Sequence, residues 1–252
     1  MNWVFLRGLA REARHWGDFS TLFAQACHAK KITLQDLAGN GALNTQRSAT
    51  SVRATVEFAR RQLAAAEIEP PHALLAMSLG AMVATEWAAR YPQEVACLVL
   101  INTSMRPYSN AAQRLRPGNW LSLASLALRW ADARFTEQQI FALTCRRADT
   151  RQIDEAKWRE IRATAPVSRA NVARQLVAAA TYRAGPLTPL CPVLVLSARA
   201  DALVNPICSY HLANTWQAEH RQHPWSGHDL PHDDAQWVCE QVAIWLELDA
   251  PL

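Results

Sequence analysis

The sequence predicts an α/β fold: a mostly parallel central sheet flanked by helices, with a helical cap inserted after the fourth strand. Three observations carry that expectation. Short Val/Leu/Ile-rich runs alternate with stretches of helical period along the first hundred residues and again near the end. Most of these runs are continuously apolar rather than alternating, which suits strands buried on both faces of a parallel sheet. Between residues 107 and 187 the alternation stops and only helical patterns follow one another.

The elements follow in order. NWVFLRG (2–8) reads as the first strand, and the helix after it sets Phe19, Leu22, Phe23 and Ala26 on one face. KITLQDLAG (31–39) is the second strand, stopped by Gly39 and Gly41. Val52, Val56, Ala59 and Leu63 then line a helix that EPP ends. HALLAMS is a third strand leading directly into the helix GAMVATEWAARY, and EVACLVLINTS (94–104) is the fourth. Helical stretches are expected at 120–133, 136–147, 152–164 and 168–183, closed by the proline-rich GPLTPLCP. PVLVLSARA (192–200) and AEHRQHPW (218–225) supply the last strands, and Val238, Val242 and Trp245 mark the buried face of a final helix. The chain thus divides into a first core part (1–106), a helical cap (107–187) and a second core part (188–252).

Composition narrows the function classes. A chain of 252 residues, half hydrophobic and 19 % charged, can bury a sizeable single core. No apolar run approaches the roughly 20 residues of a membrane span, and the first residues lack a basic leader, so a cytoplasmic protein is expected. Cysteines 27, 97, 145, 191, 208 and 239 are scattered without a CxxC pair, which reads as reduced thiols rather than disulfides or zinc ligands. The net charge of +4 is too weak to imply nucleic acid, but its distribution is uneven. Residues 107–187 hold 13 Arg/Lys against 6 Asp/Glu, so the positive charge is concentrated in the cap.

The chemistry starts at ALLAMSLGAMVA (73–84), where an apolar run meets one serine and turns at once into a helix. A serine hydroxyl needs a base to take its proton and donors to hold the oxyanion that forms. A tight strand-to-helix turn can present it, provided only small residues stand two positions either side; here these are Ala76 and Gly80. The backbone N–H of Leu79 would then point toward the oxyanion, helped by the helix dipole. Asp201 stands just past the strand PVLVLSARA, and His228 follows the last strand in PWSGHDLPHDD. All three fall at the carboxyl ends of predicted strands, where open α/β sheets carry their sites. They occur in the order serine, acid, histidine.

On these residues the chain resembles the α/β-hydrolase superfamily, over essentially its whole length. LRGLARE with HWGDF corresponds to the first oxyanion loop, DLAGNG to the turn after the next strand, AMSLGAMVA to the nucleophile elbow, and SARAD with GHD to acid and base. The resemblance implies Ser78 as nucleophile, Asp201 as acid, His228 as base, and the N–H groups of Leu79 and Leu9 as oxyanion donors. Ala76 replaces the usual first glycine of the elbow, and Arg7-Gly8 stands where the family has His-Gly. The family's first hairpin is not expected, because NWVFLRG stands almost at the start of the sequence. No metal or organic cofactor is implied.

Competing readings stay beside these. Asp36 suits the turn after its strand better than catalysis, and His232 is the rival base to His228. His15 and Trp16 fit a packing element; Trp16, Trp120 and Trp130 are candidates for a substrate pocket. The expected activity is hydrolysis of a carboxylic ester or thioester through an acyl-serine, with a small-molecule ester as substrate. A narrower reading is a methyl esterase acting on acyl groups carried by acidic acyl carrier protein. The elbow and the arginine-rich cap resemble the pimeloyl-carrier-protein methyl esterase group. Arg114, Arg116, Arg146, Arg147, Arg151, Arg159 and Arg162 would be the docking surface, or simply solvated helix faces. The same residues also suit a C–C hydrolase or lyase using this triad, and the fold suits a non-enzymatic binding protein.

Overall fold

A computed structural model describes residues 1–248. Six strands form one sheet: β1 (Asn2–Leu6), β2 (Lys31–Gln35), β3 (His72–Met77), β4 (Val95–Ile101), β5 (Val193–Ala198) and β6 (Glu219–His223). Their order is β2-β1-β3-β4-β5-β6 and every pairing is parallel. The main helices are α1 (Phe19–Ala26), α2 (Val52–Ala65), α3 (Leu79–Arg90), α4 (Ala111–Arg114), α5 (Trp120–Leu128), α6 (Ala133–Thr144), α7 (Arg151–Thr164), α8 (Arg169–Thr181), α9 (Ile207–Trp216), α10 (Leu230–Asp233) and α11 (Ala235–Leu248).

The strands' apolar character explains the layers. Side chains alternate across a strand, so a run such as WVFL feeds two cores at once. Val4 and Leu6 join Leu74, Leu98 and Val195 against α2, α3 and α9. Trp3 and Phe5 join Leu75, Val99 and Leu196 against α1 and α11. The second core is rich in aromatics: Phe5 meets Phe23 edge-on at 5.1 Å and Trp16 at 5.2 Å.

All six strands lie within the predicted stretches, five in runs with apolar residues and β6 in the polar EHRQH at the sheet's edge. The helices α5 to α8 match the four expected stretches between β4 and β5, and two are shorter than their patterns suggest. Asp132 caps α6 by accepting the N–H of Phe135, so α5 ends before it, and Ser168 caps α8 through the N–H of Asn171. The short α4 carries no apolar period and was not expected. Among the described residues no disulfide forms, and no helix is long and apolar enough to cross a membrane.

Candidate active site

Ser78 sits between β3 and α3 with φ 55° and ψ −116°, a left-handed conformation that costs a non-glycine residue about 1–3 kcal/mol. Two contacts hold it there. Its N–H donates to Ile101 O on β4 at 3.0 Å, and Thr103 Oγ1 donates to its carbonyl at 3.0 Å. Gly80 shows why the turn needs a small residue. A Cβ there would stand 2.4 Å from Leu6 O and 2.6 Å from Arg7 O, so the first turn of α3 packs directly on the end of β1. Leu79 is the first residue of α3, where a backbone N–H has no partner within the helix.

The loop after β1 lies against the serine. A Cβ on Gly8 would touch Ser78 Cβ at 3.2 Å and Oγ at 3.7 Å, which sets Leu9, the next residue, beside the hydroxyl's surroundings. Ala10, also left-handed at φ 55°, donates its N–H to Gln175 Oε1 of α8 at 2.9 Å. Gln175 in turn donates to Asn40 Oδ1 at 2.8 Å, and Asn40 Nδ2 donates to Arg11 O at 2.9 Å. Three buried amide contacts thus fix the loop's path, made by two residues, Gln175 and Asn40, that the sequence does not single out.

On the other side, His228 is buried and its Nδ1 lies 2.7 Å from Asp201 Oδ2. The other carboxylate oxygen, Asp201 Oδ1, accepts the N–H groups of Leu203 and Val204 at 2.8 and 2.9 Å, so the acid is locked by its own turn. Asn102, just past β4, donates to His228 O at 2.8 Å, and the adjacent Thr103 holds Ser78. Serine and histidine loops are therefore tied to neighbouring residues on the carboxyl edge of the sheet. His228 hydrogen-bonds Asp201 and not Ser78. Burial lowers the proton affinity of His228, but the charge and hydrogen bond of Asp201, with Asp229 adding, carry it above the ordinary 6.5.

The substitution of Arg7 for histidine has a definite structural consequence. Its side chain turns inward and grips Asp229, the residue after His228, with Nη1–Oδ1 at 3.0 Å and Nη2–Oδ2 at 2.5 Å. Both residues are about 2 % exposed, and the guanidinium also lies 4.7 Å from the Trp16 ring centroid. Burial opposes the Asp229 charge, yet Arg7 holds its carboxyl below the usual range. The pair joins the loop after β1 to the loop after β6. Asp233 performs a similar tie for the helical segment, accepting the N–H groups of Arg146 and Arg147 at 2.9 and 3.0 Å and that of Gly227 at 2.6 Å.

The remaining candidates divide. His232 lies 3.3 Å from Asp154 on α7 and packs among Phe141 and Trp158, away from Asp201. Asp36 accepts the N–H groups of Ala13 and Ala42, which is the turn role its position suggests. His15 is buried and held neutral by that burial and by Arg11 and Arg7. Trp16 belongs to the aromatic core, stacked on Phe19 and almost fully buried. Trp120 is 56 % exposed, whereas Trp130 packs with Ala10 of the β1 loop and Val167.

Three of the seven arginines are turned inward and spent on internal contacts. Arg114 donates to Ala179 O, Arg146 to Ala200 O, and Arg162 to Glu137 and to the carbonyl of Trp130. They tie helix ends and a buried acid together and are only partly exposed. Arg116 and Arg159 are half-buried; Arg147 and Arg151 are outward and pair with Asp149 and Glu155.

Burial raises the six thiols above their ordinary value, Cys27, Cys97 and Cys239 up to about 12, which makes them poor nucleophiles. Among the described residues no cluster of three or more His, Cys, Asp or Glu could hold a metal ion. A cavity of about 200 Å³ lies behind the elbow, lined by Leu79, Phe58, Gln175 and Ala178, but neither Ser78 nor His228 reaches it.

Comparison with known proteins agrees with this architecture. A family model described as Hydrolase_4, serine aminopeptidase S33, matches residues 33–232. No curated protein matches the sequence. Solved structures share the fold at low identity. A thermophilic esterase from Thermogutta terrifontis is 20 % identical with a TM-score of 0.76, covering 100 % of this chain and 91 % of that one. The enol-lactonase of Burkholderia xenovorans LB400 is 16 % identical with a TM-score of 0.78, covering 98 % and 91 %. BpoC of Mycobacterium tuberculosis H37Rv, provisionally assigned as a non-heme bromoperoxidase, is 18 % identical with a TM-score of 0.77, covering 100 % and 93 %.

Proposed function

Because the chain belongs to the Hydrolase_4, serine aminopeptidase S33, family of α/β-hydrolases, we propose that it is a serine hydrolase cleaving carboxylic esters or thioesters through Ser78, His228 and Asp201. The observation that carries the reading is the buried 2.7 Å contact between His228 Nδ1 and Asp201 Oδ2, on the sheet edge that also holds Ser78 in a left-handed turn.

In this mechanism His228 takes the proton of the Ser78 hydroxyl as Oγ attacks the carbonyl carbon. The carbonyl electron pair moves to oxygen, where the N–H groups of Leu79 and Leu9 receive it. Asp201 fixes the tautomer that leaves Nε2 as the base and stabilises the imidazolium. The tetrahedral intermediate collapses to the acyl-serine, and the alcohol leaves with the proton from His228. Water, deprotonated by His228, then releases the acid and returns the serine. Arg7 does not impair the oxyanion loop in this scheme, because the donors are backbone groups and the side chain is engaged with Asp229.

A series of p-nitrophenyl esters from acetate to decanoate tests the reading. Turnover of the shorter esters, lost in Ser78→Ala, is expected. Equal activity in wild type and variant would remove Ser78 from the chemistry. A fold used only for binding would leave both silent.

A further inference from the structure

We propose that the outer face of α5 is a docking surface for an anionic lipid surface. The helix reads WLSLASLAL and carries no charged residue. A helix apolar on all sides is normally buried, but this one is covered on one side only. Its inner residues Leu123 and Leu126 pack with Trp130 and Val167 over Leu9 and Ala10 of the loop beside Ser78. Its outer residues Trp120, Leu121 and Leu128 are 56 %, 87 % and 78 % exposed, and Ala124 and Ala127 are exposed between them. The spacing 120, 121, 124, 127, 128 sets all five on one side of the helix.

The charges around this stripe select the partner. From residue 114 to residue 134 the chain carries Arg114, Arg116, Arg129 and Arg134 against one acid, Asp132. Arg169, reaching over from α8, donates to Leu128 O at 3.1 Å and adds a further cation at the helix end. Arg114 is turned inward to Ala179 O, Arg116 is half-buried and Arg129 pairs with Asp132, which leaves Arg134 and Arg169 as the exposed cations near this helix. An apolar stripe with a tryptophan at one end and arginines about it matches the chemistry of an interfacial helix: side chains enter the acyl boundary while cations meet the headgroups. The opposite side of the same helix rests on the loop beside Ser78, so docking would hold that loop within about one helix diameter, ~10 Å, of the surface, where a hydrolase could draw esters from it. That last step rests on the ester-hydrolase reading; the docking does not.

The test is co-sedimentation of the full chain with phosphatidylcholine vesicles and with an equal mixture of phosphatidylcholine and phosphatidylglycerol, at low salt. Binding to the mixture about tenfold or more tighter than to phosphatidylcholine is expected from two free arginines. Leu121→Asp and Leu128→Asp should each lose that binding while turning over a soluble p-nitrophenyl ester as wild type does. Ser78→Ala should bind vesicles normally and turn over no ester; vesicle binding by a wild-type chain that turns over no ester would sink the hydrolase reading and leave the docking surface standing. No sedimentation with either vesicle, or sedimentation unchanged in Leu121→Asp, overturns the proposal. So does a wild-type dimer that Leu121→Asp dissociates, which would assign the stripe to a second copy. Capture of an acidic carrier protein that Leu121→Asp abolishes, with no vesicle binding, would assign it to a protein partner.

Discussion

Replacing Arg7 by methionine removes the guanidinium and leaves the Asp229 carboxylate buried at about 2 % exposure, with no other described side chain donating to it. Breaking a buried ion pair from one side costs about 3–5 kcal/mol, since the remaining charge is uncompensated. In a domain of this size each kcal/mol moves Tm by about 2–4 °C, so a fall of about 6–20 °C is expected at neutral pH. Removing both charges in Arg7→Met/Asp229→Leu should recover most of that loss. The sign with pH follows from the depressed Asp229 value. The pair's stabilisation is present above the unfolded carboxyl value near about 3.9 and is lost as pH falls through the lower folded value. Thermal melts of the four proteins across pH measure this directly. A second reading comes from catalysis: Arg7 opposes protonation of His228, so Arg7→Met should move the acid limb of kcat upward. A single substitution costing less than about 1 kcal/mol, or a double variant no better than the sum of the singles, would refute the idea that this pair ties the two loops together.

Other outcomes follow from the same geometry. Asp201→Asn should keep the fold but lower kcat by about 10³–10⁴, because His228 loses the partner that orients it; a loss under about tenfold would contradict that role. Gly80→Ala drives a Cβ to within 2.4 Å of Leu6 O, so the end of β1 or the start of α3 must shift, and soluble ester turnover should collapse with a lowered Tm. An unaltered Gly80→Ala enzyme would show that the elbow is looser than the contacts imply. Because His228 must be neutral to act as base, activity should rise with pH through an inflection above 6.5. The same raised value stabilises the fold below the unfolded histidine value and is lost as pH rises through the folded one. The histidine's share of Tm therefore moves opposite to activity, and His228→Gln should flatten that share.

How far the sequence discloses this molecule depends on the range of the interactions. Strand runs such as LLAM and VLVLSA are legible because burial on both faces leaves them continuously apolar, and Ser78, Asp201 and His228 stand at strand ends. The Ala76–Gly80 spacing is legible because Gly80 has no room for a Cβ. Asp229, Asn40, Gln175 and Asp233 are not, because nothing local marks them. Gln175 meets Ala10 across 165 residues and Arg7 meets Asp229 across 222, and no periodicity records such contacts. The tryptophans show the same limit. Trp16 and Trp130 are core residues and Trp120 faces outward, a distinction set by which side of each element is covered. The arginines divide likewise, Arg162 reaching Glu137 inside while Arg147 stays out.

The central claim is that Ser78 is the activated nucleophile. The most direct measurement is covalent labelling of the full chain by a fluorophosphonate, with the modified peptide located by mass spectrometry. One label on Ser78, absent in Ser78→Ala and strongly slowed in His228→Ala, is the expected result. A label elsewhere, or none on a protein that still turns over p-nitrophenyl esters, would contradict it.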